Sequence, residues 1–170
     1  IAFEGCRVPR ANLIREPGDG LRVLFGALNK SRPSVAAHAL GIARAAFEDS
    51  VAHVNERRQS GRAIIDFQGI QFMLADMASE LALCESWLRH VVRLIDSGVE
   101  DINVESSLLK MRASDAAMRI TTDAVQLHGG YGYIRDSRVE RLMRDAKITQ
   151  IWEGTNQIHR QLVGRSFIAR

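Results

Sequence analysis

The clearest pattern along the chain is an apolar stripe with helical spacing between residues 67 and 95. Apolar side chains recur three or four positions apart over this whole stretch, which is the period of one helix face. They are Phe67, Ile70, Leu74, Met77, Leu81, Cys84, Leu88, Val91 and Ile95. These nine residues, called the seam below, predict a long helix that is ended by Gly98. The helix should pack at a shallow angle against antiparallel partner helices. We assign the stripe to the core rather than to a cofactor site.

Four more segments have helical periodicity. Their predicted ranges are 21–57, 104–127, 136–147 and 156–168. Pro33 lies inside the first of them and must either kink or split that helix. Asp101 or Asn103 is a suitable cap for the second helix, and the pair Gly129-Gly130 stops it. With short loops and no alternation of strands and helices, the chain is predicted to be all-α, an up-down bundle resembling a four-helix bundle.

The first residues have a different pattern. Ile1, Phe3 and Val8 are compatible with an extended strand, which Pro9 and Asn12 would end. We therefore divide the chain into a strand and linker remnant, residues 1–16, and a helical domain, residues 17–170. Because the chain starts with an isoleucine inside this strand pattern, we expect it to be a piece of a longer polypeptide, and the remnant to be loosely docked without its sheet.

Composition narrows the class of protein. Hydrophobic residues make up 46% of the chain and charged residues 25%, with a formal net charge of +3, which is ordinary for a globular domain. No Lys/Arg-rich run supports a nucleic-acid surface, and no apolar run is long enough for a membrane span. Neither the two cysteines nor the five histidines have metal-ligand spacing, so we predict no metal site. No signal peptide is visible, and we expect a cytoplasmic location, or the mitochondrial matrix in a eukaryote.

Glu153 is the candidate for chemistry. It lies between the large apolar pair Ile151-Trp152 and Gly154, a setting in which a carboxylate is partly desolvated. Desolvation disfavours the charged form and moves a carboxylate toward general-base behaviour. Gly154 lets a ligand approach the backbone closely, and Thr155 is a good N-cap for the last helix, so Glu153 is predicted to lie on a short turn that leads into that helix. A surface glutamate before a capped helix fits the same pattern.

Two longer strings carry a family resemblance. The strings RDAKI at residues 144–148 and IWEGTNQI at residues 151–158 closely resemble the C-terminal signature of the acyl-CoA dehydrogenases. The string QLHGGYGY at residues 126–133 resembles the segment of that family that contacts the flavin. A weaker block is ERRQSG at residues 56–61, followed by DFQ at residues 66–68. The family usually has Phe-Gly where this chain has Ser60-Gly61, which weakens the match at this block.

The resemblance implies a role for Glu153 and a cofactor. Glu153 matches the glutamate that removes the α-proton of an acyl-CoA thioester, while FAD accepts the β-hydride. The family's enolate oxygen is held by the backbone N–H of that glutamate and by a ribityl hydroxyl of the flavin. Some members carry the base on the first long helix, at the position of Ser31. A serine cannot act as that base unaided, so we place the base at Glu153 and regard Ser31 as a small pocket-lining or plain helix residue.

The resemblance also implies binding residues. The predicted FAD contacts are Arg57, Gln68, Gln126, Gly129, Gly130, Thr155 and Gln157. The predicted acyl-CoA contacts are Asn29, Arg32, Gly154 and Arg165. Surface positions before a kink are an alternative interpretation for Asn29 and Arg32, and a plain helix C-cap is one for the glycine pair.

The resemblance predicts a function for the longer protein, with residues 1–16 derived from the family's middle β-domain. That protein would oxidise an acyl-CoA to the trans-2-enoyl-CoA, pass electrons to an electron-transferring flavoprotein, and form a homodimer or homotetramer. Two alternatives stay open: an acyl-CoA oxidase or flavin monooxygenase on the same scaffold, and a non-catalytic, DNA-associated relative. We expect the isolated 170-residue chain to fold but to lack measurable FAD affinity and activity.

Overall fold

The computed structural model describes residues 1–168, and helices dominate it. Its helices are α1 (Gly20–Glu56), α2 (Gln68–Asp96), α3 (Asn103–His128), α4 (Gly130–Tyr133), α5 (Arg138–Thr149) and α6 (Asn156–Arg165). A two-residue hairpin, β1 (Arg58–Gln59) and β2 (Arg62–Ala63), joins α1 to α2. The predicted all-α bundle is confirmed. The last two residues of the predicted helical domain, 169 and 170, lie outside the described residues, and the boundary at residue 17 stays a prediction.

The centre of the bundle is the contact between α1 and α3. Both helices present alanines to the interior: Ala36, Ala39, Ala43 and Ala46 on α1, and Ala113, Ala116, Ala117 and Ala124 on α3. Small side chains at this spacing allow two helix axes to approach closely. Larger apolar residues such as Leu40, Leu109 and Ile120 fill the remaining space.

The predicted seam on α2 is confirmed. All nine of its residues are buried or half-buried, and each belongs to the hydrophobic core or packs against it. The opposite face of α2 is exposed, with Phe72 and Leu83 in solvent in this chain. No described helix has the length and apolar character needed to cross a membrane.

The positions where the helices begin, end or contain a proline agree only in part with those predicted from the sequence. Pro33 does not split the first helix, because α1 runs through it without a break. Neither Asp101 nor Asn103 is the N-cap of α3, because Ile102 takes that position and makes no side-chain capping bond. The Asp101 carboxylate still accepts a hydrogen bond from the backbone N–H of Asn103, the first residue of α3, at 3.1 Å. The hairpin was not predicted. Its turn residues Ser60 and Gly61 have φ angles of 52° and 80°, the positive values that a tight two-residue hairpin turn requires.

The strand predicted near the N-terminus is wrong for this chain. Residues 1–9 form neither helix nor strand, and Arg10–Asn12 form a single 3-10 turn. A strand needs a neighbour to pair its backbone groups, and none of the described residues pairs with this segment.

Candidate active site

Glu153 lies on the short turn that joins α5 to α6, as predicted. Its φ is 54° and that of Gly154 is 93°, so two consecutive residues have left-handed backbone conformations. A non-glycine residue in this region costs free energy and persists only where the surroundings hold it. Thr155 is the N-cap of α6, and its hydroxyl accepts from the N–H of Ile158 at 3.4 Å. The turn is therefore strained at Glu153 and capped immediately after it.

The Glu153 side chain reaches back to the first long helix. The hydroxyl of Ser31 on α1 donates to Glu153 Oε2 at 2.5 Å and lies 3.2 Å from the carbonyl oxygen of Leu28. Glu153 is half-buried. The surface-glutamate interpretation does not account for this contact across the bundle. The sequence analysis assigned Ser31 only as a pocket-lining or plain helix residue, whereas the structure makes it the hydrogen-bond partner of the predicted base.

Arg32 lies inside the bundle next to this pair and is only 4% exposed. Its Nη1 donates to Asn29 Oδ1 at 2.7 Å and to Asn103 Oδ1 at 2.8 Å, and Ser107 Oγ lies 3.3 Å away. Burial lowers the pKa of the guanidinium, and the negative charge of Glu153 acts in the opposite direction. Arg32 is thus not a surface residue, and Asn29 accepts one of its hydrogen bonds. Contact between acyl-CoA and either residue stays a prediction.

Lys110 on α3 is the second buried cation of the site. It is 0% exposed, and its ammonium donates to the carbonyl oxygen of Gly154 at 2.7 Å and to Asn156 Oδ1 at 3.0 Å. Burial lowers the pKa of Lys110 to about 8. Asp115 and Glu153 oppose this effect, and Arg32 adds to it. The sequence analysis assigned Lys110 no role.

Asn156 joins the turn to α3. Its amide nitrogen donates to Asp115 Oδ1 at 2.7 Å and to Ser114 Oγ at 2.9 Å. Asp115 also accepts from Gln150 and from Arg160, each at 2.7 Å. Residues before, within and after the turn are therefore tied to one stretch of α3.

His159 forms the floor below the turn. It is 0% exposed, and neither ring nitrogen has a hydrogen-bond partner among the described residues. Its pKa is lowered to about 4, mainly by burial and also by the charges of Lys110 and Arg32. The nearby backbone of Glu153 and Gly154 acts weakly in the opposite direction. A Cβ on Gly154 would lie 3.2 Å from the His159 Nε2. The imidazole is therefore neutral at pH 7 and limits the space under the turn.

The apolar neighbours of Glu153 do not enclose it within this chain. Ile151 and Trp152 are both exposed, and Trp152 contacts the ring of His38 with 5.7 Å between ring centroids. The predicted desolvation by these two residues is thus incomplete here. The burial at the site comes instead from α1, α3 and α6.

A second region lies at the C-terminal end of α3. Here a cavity of about 520 Å³ is bordered by Arg57, Gln126, Gly129 and Gly130, four of the seven predicted FAD contacts. Arg57 is exposed, and its guanidinium lies 5.9 Å from the centre of the Tyr131 ring. The rings of His53 and His128 stack at 4.2 Å in the same cavity. Gly129 has a φ of 60°, so an L side chain there would be strained.

The remaining predicted contacts fall elsewhere. Thr155 is the N-cap of α6 and Gln157 lies in its first turn, so both follow Glu153 along the chain and neither borders the cavity. Gln68 is exposed at the start of α2 and does not border the cavity, and Arg165 is exposed at the end of α6. In residues 1–168, no three His, Cys, Asp or Glu side chains come together as a metal site would require.

Comparison with known proteins matches this arrangement to one family. The family model described as "Acyl-CoA dehydrogenase, C-terminal domain" matches residues 18–168. A Mycobacterium bovis protein named "Probable acyl-CoA dehydrogenase fadE25" is 45% identical over 168 residues, which are 99% of this chain and 43% of that protein.

Solved structures agree on the fold. Butyryl-CoA dehydrogenase from Megasphaera elsdenii has a TM-score of 0.92 at 41% identity, over 95% of this chain and 42% of that one. A chain in a structure described as an electron transferring flavoprotein of Acidaminococcus fermentans has a TM-score of 0.94 at 44% identity, over 99% of this chain and 44% of that chain. The chain thus spans less than half the length of these relatives.

Proposed function

The chain belongs to the acyl-CoA dehydrogenase family, and from this premise we propose that it supplies the helical domain of a flavoenzyme with Glu153 as its base. The enzyme would convert an acyl-CoA thioester to the trans-2-enoyl-CoA. The observation that supports this most is the position of the carboxylate, which is held at a strained turn and hydrogen-bonded to Ser31 across the bundle.

The proposed reaction breaks two C–H bonds and forms one C=C bond. Glu153 takes the α-hydrogen as a proton, and the electron pair left behind becomes part of the new double bond. Ser31 binds only Oε2 of the carboxylate, so the other oxygen is available to receive the proton. A positioned general base contributes about 10²- to 10⁴-fold to the rate. Ser31 and the turn would fix the orientation of this base before substrate arrives.

The residues at the cavity fit FAD. Arg57 offers an exposed guanidinium whose fork pairs with phosphate oxygens, and the glycine pair offers bare backbone. A Cβ on Gly129 or Gly130 would have no neighbour within 4 Å, so the backbone there is open to a ligand. When bound, FAD would supply the acceptor for the hydride that leaves the β-carbon with its electron pair.

Substrate and partners follow from the family as part of the same proposal. Relatives include a butyryl-CoA dehydrogenase and a chain found in an electron transferring flavoprotein structure. We therefore propose an acyl-CoA substrate, electron transfer to a flavoprotein, and a homodimer or homotetramer. Gly154 is the position where a thioester could approach the backbone beside the base, and Arg165 stays a weaker candidate for a CoA phosphate.

The test uses the full-length protein that contains this chain, with butyryl-CoA, isobutyryl-CoA and octanoyl-CoA as probes under anaerobic conditions. We expect the flavin absorbance to bleach with at least one thioester and the matching enoyl-CoA to appear. Glu153→Gln should slow this step by about 10³-fold without loss of flavin. The exposed Glu48 provides a control, since Glu48→Gln should keep the wild-type rate.

Two results would contradict the proposal. One is near-normal bleaching in Glu153→Gln, and the other is no bleaching of the wild-type flavin with any of the three thioesters. Under air, one peroxide released per acyl-CoA consumed would instead identify an oxidase on this scaffold.

A further inference from the structure

The conformation of the turn that carries Glu153 needs stabilising contacts from residues outside the turn. Glu153 and Gly154 have φ angles of 54° and 93° in succession, and the first of these is unfavourable for any residue with a Cβ. The segment between α5 and α6 has backbone hydrogen bonds at its ends, from Trp152 N–H to the Ile148 carbonyl at 3.0 Å and from Asn156 N–H to the Gln150 carbonyl at 3.0 Å, but none of them involves the backbone of Glu153 or Gly154. The conformation that aims the carboxylate at Ser31 must therefore be imposed by neighbouring groups.

Ser31 binds the side chain of Glu153, whereas Lys110 binds the backbone of the two strained residues. Its ammonium donates to the carbonyl oxygen of Gly154, one residue after the base, at 2.7 Å. The contacts through Asn156, Asp115 and Gln150 hold the two ends of the segment instead. A charged donor makes a stronger hydrogen bond than a neutral one. Lys110 is thus placed to fix the peptide that sets the direction of Glu153.

We infer that Lys110 is a positioning residue for Glu153, which holds the Glu153–Gly154 turn in its left-handed conformation through the Gly154 carbonyl. The inference rests on the proposed function, because it assigns Lys110 a purpose in α-proton removal. Lys110 itself does not touch the reacting atoms in this arrangement.

The surroundings of Lys110 support a charged donor. Its ammonium faces Arg32 on α1, Asp115 on its own helix, His159 on α6 and Glu153 on the turn. Burial lowers the pKa of Lys110 to about 8, so it is mostly charged at pH 7. A buried ammonium carries a desolvation cost. Both of its acceptors, Gly154 and Asn156, lie in or directly after the turn, so this is where the charge acts.

The test compares Lys110→Met with Lys110→Gln in the full-length, flavin-loaded protein. Methionine keeps the length of the side chain without a donor, whereas glutamine keeps a neutral donor. Butyryl-CoA, or whichever of the three thioesters is turned over, serves as the probe. The exposed Arg112 on the same helix provides the control variant Arg112→Met, which also removes one positive charge.

We expect Lys110→Met to lower kcat about 100-fold, the cost of misplacing a catalytic group by about 1 Å, with KM changed by less than about threefold. Exchange of the substrate α-hydrogen with D₂O should fall by the same factor, because it reports proton removal alone. Amide hydrogen exchange at residues 150–156 should become at least about tenfold faster, while α2 stays protected. Lys110→Gln should fall between wild type and Lys110→Met, and Arg112→Met should match wild type.

Three outcomes separate this inference from the proposed function. If wild type is active and Glu153→Gln is not, but Lys110→Met performs like Arg112→Met, the inference is wrong and the function stands. If both Lys110 variants lose flavin or helical content, Lys110 is a folding residue and the inference is equally wrong. If wild type itself removes no α-hydrogen from any probe, the proposed function has failed.

Discussion

The Glu153 turn contacts the middle of α3, whereas the cavity beside Arg57 lies at the C-terminal end of that helix, and the two regions are built in different ways. Around the turn, Arg32, Lys110 and His159 are buried, and Lys110 donates a hydrogen bond to the Gly154 carbonyl. Around the cavity, Arg57, Gln126, Gly129 and Gly130 are exposed. One site is supported from within the bundle, and the other is open.

This difference has a physical consequence. Buried charged and polar groups are costly unless each has a partner, so the turn and the stability of the bundle depend on one another. Exposed groups at the cavity contribute little to folding and are available for a ligand. Substitutions at the turn should therefore change both the stability of the fold and the rate of the reaction. Substitutions of exposed residues at the cavity should change cofactor affinity and leave stability nearly unchanged.

The largest expected effect on folding is the loss of stability of the full-length protein at acid pH, caused by protonation of His159. Because burial lowers the pKa of His159 to about 4 from an ordinary 6.5, the unfolded chain binds a proton in this window that the folded chain does not. Stability should fall as pH drops from about 6.5 to about 4, by about 3 kcal/mol from this group. His159→Met should flatten the dependence of the thermal midpoint on pH, and the exposed His90 supplies the control His90→Met. An unchanged slope in His159→Met would count against a buried neutral imidazole.

Alanine substitutions of two glycines near the cavity, Gly132 and Gly130, should give the next largest effect. A Cβ on Gly132 would lie 2.6 Å from the His128 Cβ and 2.8 Å from the carbonyl oxygen of Val125. Gly132→Ala should lower the free energy of unfolding by about 2 kcal/mol, since the crowded atoms are backbone and Cβ. Gly130 has no neighbour within 4 Å of its Cβ position, so Gly130→Ala should leave stability nearly unchanged but weaken FAD binding. Thermal unfolding and flavin titration of both variants measure this contrast, and equal destabilisation would remove it.

Substitution of Arg57 should give the smallest of these effects, a change in FAD affinity. Arg57→Gln should weaken FAD binding about tenfold, as expected for loss of one charged hydrogen-bonding group (about 1.4 kcal/mol). The rate of the flavin-saturated enzyme should stay within about twofold of wild type, because Arg57 is far from the turn. Arg58, exposed in β1, is the matched control. If Arg58→Gln weakens flavin binding as much, the effect is general surface charge rather than a specific contact.

The sequence predicted the elements that depend on local pattern. The α2 seam, the Thr155 cap and the short turn at Glu153 all follow from spacing and residue type. The hairpin after α1 was missed because its strands have only two residues each. The N-terminal strand was predicted wrongly because apolar alternation does not show whether a pairing partner is present.

The buried supports of Glu153 were missed because long-range contacts leave little local signal. One signal was available on α3: Asn103, Ser107, Lys110 and Ser114 recur at intervals of four, three and four residues. This is a polar stripe with helical period, and the structure places it against Arg32 and Asn156. Polar residues repeating on one face among apolar neighbours favour a buried network, whose partners sequence cannot name.

The most direct measurement is a crystal structure of the full-length, flavin-loaded protein with a thioester that lacks a removable β-hydrogen. The account predicts the Glu153 carboxylate within about 3.5 Å of the substrate α-carbon, the distance of a reactive arrangement, with Ser31 and Lys110 still in their contacts with the turn. A different acidic side chain against the α-carbon, with Glu153 directed away from the thioester, would contradict it.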